Sequence, residues 1–268
     1  MLSKAKEGSR KMRKLWIWLT IGVLLLALAG CGGSDSKFGL EAVKKRGVLR
    51  IGTDDTYPPM EFRDEAGNLL GFDIDLGNEI GKRMGLEVQW IPAEWEGIIP
   101  SLQQGNFDLI MSSMNITEQR AKEVDFVHYL DQGLWIVVAK GNPKNIHSLE
   151  DLAGKTVAVQ IGTTNEAAAR RVPGANVVTY DDFESALLEV SGGRADATIL
   201  DTPVAAYYIL IEPDKYEMVG EEFDTAPVGI AVNKKAPDLK AEVERIVQEI
   251  KQDGTMDRLK AKWKMGGQ

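Results

Sequence analysis

Asp108-Leu109-Ile110-Met111-Ser112-Ser113-Met114-Asn115-Ile116-Thr117-Glu118-Gln119-Arg120 carries the pattern that decides the fold. Residues 108–111 are a short apolar run of strand length. A polar loop follows, and Thr117, a helix-capping residue type, opens a short helix through residue 122. The same succession recurs on both sides. Upstream, a helix over 40–46 is stopped by Gly47; strands are expected over 48–52 and 88–91, and helices over 73–84 and 97–104. Ala66-Gly67-Asn68 marks a turn. Downstream, strands are expected over 135–139, 156–160, 177–180, 195–200 and 228–232. Helices are expected over 166–171, 182–191, 203–210, 237–251 and 256–263, with a short one capped by Ser148. Short apolar runs alternating with amphipathic segments are the signature of an α/β fold.

The elements group into two α/β units in series, the first ending near Tyr129 and the second running from about Trp135 to Glu222. The last segment holds one strand and two helices with no unit of its own, so it is expected to return to the first. That gives a two-lobed molecule: lobe 1 from residues 39–131 plus 226–268, and lobe 2 from residues 132–225. Two crossings between lobes make a hinge, and the groove between lobes is the natural ligand site.

The first 30 residues are read apart from the fold. Lys4, Lys6, Arg10, Lys11, Arg13 and Lys14 make a cationic start, and an apolar run over 15–29 follows. That run is short of the ~20 residues a membrane-crossing helix needs. It ends in Leu28-Ala29-Gly30-Cys31, which resembles the lipobox of bacterial lipoproteins. The resemblance implies a signal peptide over 1–30 and a diacylglyceryl group on Cys31. A flexible Gly/Ser-containing tether over 31–38 then leads to a domain outside the cytoplasm, anchored to the cell membrane. Cys31 is the single cysteine, so the remaining domain has no thiol chemistry and no cysteine-based metal site.

The net charge is −8, and the leader holds six basic residues and one acid, so the rest of the chain carries about −13. An acidic protein is repelled by nucleic acid and by anionic headgroups, which excludes nucleic acid as a partner and leaves lipid as the membrane hold. Zinc-binding His-Glu-x-x-His, Gly-x-Ser-x-Gly, phosphate-loop and dinucleotide motifs are all missing. The two histidines, His128 and His147, are too few for most triads or metal centres, so no cofactor and no metal are expected.

Four polar segments sit at predicted strand ends, where α/β proteins bind ligands. They are Thr53 to Pro59, Ser112 to Arg120, Gly162-Thr163-Thr164-Asn165, and Asp201. Together with Gly71-Phe72-Asp73-Ile74-Asp75-Leu76 they resemble, in order and spacing, the polar amino-acid binding proteins of bacterial solute-binding family 3. The resemblance spans residues 40–266 and implies the type II periplasmic binding protein fold. Each lobe would be a central, mostly parallel sheet flanked by helices. It further implies a monomeric receptor that hands a small polar amino acid to the permease subunits of an ABC importer.

The resemblance also implies roles. Arg120 would clamp the ligand α-carboxylate, since a guanidinium offers a flat pair of donors. Thr164, with Thr163 beside it, would meet that carboxylate from the other lobe, or Thr164 is a plain helix cap. Asp201 would accept from the α-ammonium, or caps the helix before Pro203. Ser112, Ser113 and Asn115 would add polar contacts, with a turn role the alternative for Ser113 and Asn115. Tyr57 and Trp95 would wall the side-chain end, or simply pack. Asp54 would pair with a basic side chain or accept from an amide. The order of preference is thus a basic amino acid (arginine, lysine, histidine or ornithine), then glutamine or another neutral polar one. Asp73 and Asp75 are expected to cap their helix. A few relatives on this fold are cyclohexadienyl dehydratases. Those carry a glutamate general acid three residues after the aspartate at the Asp201 position. Here that residue is Val204, which cannot move a proton, so no enzyme is expected. A sensor acting through a separate partner is a further class.

Overall fold

A computed structural model describes residues 37–265. The expected signal peptide, the lipid expected on Cys31 and the expected tether, apart from Lys37 and Phe38, lie outside the described residues. Among the described residues no helix is long and apolar enough to cross a membrane.

The chain opens with α1 (Leu40–Arg46), β1 (Val48–Thr53) and a small hairpin sheet of β2 (Thr56–Tyr57), β3 (Glu61–Arg63) and β4 (Leu69–Leu70). Then come α2 (Phe72–Met84), β5 (Glu87–Pro92), a 3-10 turn at Trp95–Gly97, α3 (Ile98–Gln104), β6 (Leu109–Ile110) and α4 (Glu118–Glu123). A long strand, β7 (Asp125–Ala139), leads to a 3-10 turn at Glu150–Leu152, where Ser148 was expected to cap a helix. Next are β8 (Thr156–Gln160), α5 (Thr164–Arg170), β9 (Asn176–Tyr180), α6 (Phe183–Ser191), β10 (Ala197–Asp201) and α7 (Thr202–Ile211). A second long strand, β11 (Tyr216–Val232), and the helices α8 (Pro237–Gln252) and α9 (Thr255–Lys262) close the chain.

The main sheet has the order β5-β1-β6-β11-β7-β10-β8-β9. Its two ends are parallel: β1 pairs with β5 and β6, and β8 pairs with β9 and β10. The long strands join them. Expected over 135–139 and 228–232 only, they run 15 and 17 residues and pair antiparallel from Tyr216↔Ala139 to Val232↔Asp125. The far part of β11 pairs with β6, and the far part of β7 with β10. The β7–β11 register breaks between Val219 and Phe223, Phe223 and Ala226, and Val228 and Gly229. Such irregularities let a ribbon bend between the two halves.

Apolar spacing explains how the helices sit. In α8 the buried residues Leu239, Val243, Ile246, Val247 and Ile250 recur at helical intervals, giving one apolar stripe. That stripe returns the C-terminal segment to the first half, where α8 packs on β7, α1 and α2, and α9 packs on α2. Gly71 sets the entry of α2. Its φ is 140°, and a Cβ there would lie 2.0 Å from the Met60 carbonyl oxygen. Only glycine allows the helix start to approach the hairpin this closely. The amides of Phe72 and Asp73 then donate to Pro59 O and Met60 O.

Candidate functional site

One cleft gathers all the expected ligand residues: Asp54, Tyr57 and Trp95 line it, as do Ser112, Ser113, Asn115, Arg120, Thr163, Thr164 and Asp201. Its first wall grows from the ends of β1 and β6. The Asp54 amide donates to Ser112 Oγ at 2.9 Å. The Asp54 carboxylate accepts from Thr56 Oγ1 and from Gln160 Nε2, both at 2.8 Å. Burial raises its pKa, partly offset by those two bonds, and the charges of Glu94 and Asp55 push the same way as burial. Ser113 holds a left-handed backbone, φ 47°, unusual for a residue with a side chain. Its amide donates to Asp73 Oδ2 at 2.9 Å.

Asp73 therefore does not cap α2. It is fully buried, and no side chain caps that helix. Asp75 is not a cap either; it accepts from Lys262 of α9 and from Trp263, which follows that helix, at 2.6 Å each.

Thr117 caps α4 by accepting from the Arg120 amide at 3.2 Å. That fixes the turn from which the Arg120 side chain projects. Its guanidinium donates to Asn115 O at 2.8 Å and Gly162 O at 3.2 Å, and lies 5.1 Å from the centre of the Trp95 ring. Burial lowers the Arg120 pKa to about 10, against the pull of Asp201, so the group is a cation at neutral pH.

The second wall grows from β8 and β10. Thr163, rather than Thr164, is the cap of α5: its Oγ1 accepts from the Glu166 amide at 3.1 Å, and Thr164 is the first helical residue. Glu166 reaches back to the Gly162 amide at 2.7 Å, which completes a variant of the capping box. Asp201 occupies the cap position of α7 but makes no capping bond. Its Oδ2 accepts from the Tyr57 hydroxyl at 2.7 Å, while Oδ1 is buried with no donor. Burial raises the Asp201 pKa to about 6; the bond from Tyr57, the Asn115 amide and the charge of Arg120 all restrain the rise.

The walls touch each other. Besides Tyr57–Asp201 and Asp54–Gln160, Asn115 Nδ2 donates to Thr164 Oγ1 at 2.8 Å and Trp95 Nε1 donates to Gly162 O at 3.2 Å. The pair Arg120 and Asp201 thus presents one cation and one acid to a single cleft from opposite walls.

The family model of the bacterial extracellular solute-binding proteins, family 3, matches residues 49–266. The chain belongs to that family. The L-cystine-binding protein TcyJ of Escherichia coli (strain K12) is 34% identical over 249 residues, covering 91% of this chain and 93% of that protein. The lysine/arginine/ornithine-binding periplasmic protein of the same organism is 34% identical over 234 residues, 81% of this chain and 87% of its own length. Among solved structures, an ancestral arginine-binding protein bound to arginine superposes with a TM-score of 0.78 at 44% identity, covering 81% of this chain and 98% of that one. The two-lobed α/β architecture is that of the type II periplasmic binding proteins.

The cleft of this solute-binding protein is also lined by residues absent from the sequence-based set. Gln160 is the last residue of β8 and closes on Asp54; its place at a strand end was the signal available. Phe183 packs edge-on against Tyr57 with ring centres 4.8 Å apart, and nothing local marks it. Glu61, on the small hairpin, lines the cleft from beneath Ser112.

Proposed function

We propose that this family member captures a polar L-amino acid between its lobes, outside the cytoplasm, and hands it to the permease subunits of an ABC importer. The observation that carries the reading is the Arg120–Asp201 pair, with Asp201 Oδ1 buried and lacking a donor. A free amino acid brings both missing complements: a carboxylate for the guanidinium and an ammonium for that oxygen. A ligand bridging both walls binds the closed state better than the open one, which gives closure its cause. The lobes divide near residues 131/132 and 225/226, at the register breaks of the β7–β11 ribbon. Thr163 and Thr164 meet the carboxylate from the second wall, with Ser112, Ser113 and Asn115 around the ammonium end. In this reading the protein is a monomer held to the membrane by lipid on Cys31.

The side-chain end favours a basic amino acid. Asp54 lies there with the charges of Glu94, Asp55 and Glu184 acting on it or by it. Such a cluster attracts a cation and repels a carboxylate. Glutamine is the second reading, because Asp54 already accepts an amide N–H from Gln160 and would accept a ligand's in the same way. Binding proceeds without turnover: Val204, three residues after Asp201, is fully buried in α7 and has no proton to give.

A melting panel of residues 32–268 against each amino acid tests class and cargo together. A true ligand at a hundredfold its Kd adds ~2.7 kcal/mol of stability. No shift with any amino acid overturns the receptor reading, and turnover of prephenate or arogenate overturns the non-enzymatic one.

A further inference from the structure

Two acids lie beneath the first wall, where neither touches the solvent. Glu61 on β3 is 1% exposed and Asp73 on α2 is 0% exposed. The two carboxyls act on each other electrostatically, and the consecutive residues Ser112 and Ser113 tie one each. Glu61 Oε2 and Asp73 Oδ1 are both buried and receive no hydrogen bond from any other described group. Their remaining oxygens are engaged. Ser112 Oγ donates to Glu61 Oε1 at 3.2 Å. The Ser113 amide and the Tyr129 hydroxyl each donate to Asp73 Oδ2 at 2.9 Å.

Among the described residues no lysine or arginine forms an ion pair or hydrogen bond with either acid. Asp54 faces it from the end of β1, Tyr57 from β2 and Tyr129 from β7, and every one of these is an acid or a phenol. Two carboxylates in one buried site without a counter-ion cannot both ionise. One proton placed between the two unpaired oxygens removes the repulsion and satisfies both atoms at once.

We propose that Glu61 carries a proton shared with Asp73, and that this acid pair is the positioning device of the ligand site, setting Ser112, Ser113 and the backbone of Asp54. The shared proton closes the one gap in a chain of bonds. The Asp54 amide donates to Ser112 Oγ, Ser112 Oγ donates to Glu61, Glu61 donates to Asp73, and Asp73 holds the Ser113 amide. Asp73 thereby helps to hold Ser113 in its left-handed conformation, which is costly for a residue with a side chain. A charged Glu61 would repel Asp73 and release that anchor. Burial pushes the Glu61 carboxyl well above the ordinary carboxylate range, in keeping with the arrangement.

The link to ligand affinity rests on the amino-acid reading above, whereas the shared proton does not. Infrared spectra of the full chain and of Glu61→Gln at pH 8 test the proton directly, because Asp201, at about 6, is ionised there. The wild type should show the carbonyl stretch of a protonated carboxyl, and Glu61→Gln should lack it. A wild-type spectrum without that band overturns the proposal, whatever the ligand. For positioning, Glu61→Ala should weaken amino-acid binding by about tenfold or more while still melting cooperatively. Glu61→Gln, whose amide still donates to Asp73, should restore most of that loss. Glu61→Gln binding no better than Glu61→Ala, or Glu61→Ala binding like the wild type, overturns the positioning role. Should Glu61→Ala fail to fold, Glu61→Gln against the wild type and the infrared band still decide. A wild type that binds no amino acid removes the functional reading and leaves the band to decide the proton.

Discussion

The two walls of the cleft are finished to different degrees. On the first, the Asp54 amide, Ser112 Oγ and the Ser113 amide are tied to groups of the same half before any ligand arrives. On the second, Asp201 keeps one buried oxygen without a donor. The loop geometry of the first wall is set in advance, so little ordering remains to be lost on binding. The second wall carries an unmet demand, worth ~1–3 kcal/mol for a buried polar atom. A ligand docked on the first wall and meeting that demand would draw the second towards it.

The largest test of this contrast is Arg120→Ala. It should cost ~2–5 kcal/mol of amino-acid affinity by calorimetry, the range for losing a buried charge contact. Unchanged affinity would place the carboxylate site elsewhere. Asp201 comes next. A ligand ammonium needs the ionised carboxylate, and the group sits at about 6, so affinity should weaken by up to tenfold per unit as pH falls below that value. Asp201→Asn should bind weakly and lose this slope. In the ligand-free protein the sign reverses. The raised pKa contributes stability that is present below the unfolded value near 3.8 and is lost as pH rises through about 6. Melting curves from pH 4 to 7 with and without ligand should therefore diverge. The smallest effect falls on the second wall's scaffold: Thr163→Ala removes the α5 cap and should cost ~1 kcal/mol of stability by denaturant titration. A loss several times larger would mean that this wall is as tightly built as the first.

Much of the site was legible because an α/β fold puts polar loops at strand ends, and short apolar strands betray themselves by composition. Residues 156–160 are found as expected, and Ser112, Arg120 and Asp201, singled out by the family resemblance, all line the cleft. The long strands were not legible in full. Residues 217–227 of β11 are mostly exposed and carry Glu217, Glu221, Glu222 and Asp224. The backbone ladder to β7 holds them extended, and none of their side chains is fully buried. Asp73 misled for a related reason. In the first turn of a helix an acid reads as a cap, but its carboxylate is taken by Ser113 and Tyr129, 40 and 56 residues away in sequence. Glu61 gave no signal at all, since a short hairpin strand with one acid looks like surface.

The return of the C-terminal segment to the first half also sets an order of assembly. The Leu40 amide donates to Asp238 across 198 residues, Arg83 pairs with Asp253 across 170, and Lys262 pairs with Asp75 across 187. The strands β8, β9 and β10 pair with one another at most about 40 residues away, and β10 pairs with β7 at about 60 to 70. Contacts distant along the chain form late, because closing their loops is entropically costly. During refolding, pulsed hydrogen exchange should therefore find the β8–β10 amides protected before those of the α1–α8 and α2–α9 contacts. A chain threaded across a membrane from its N-terminus would fasten its first half only after its last helices had emerged. It would stay compliant through the passage and lock at the end.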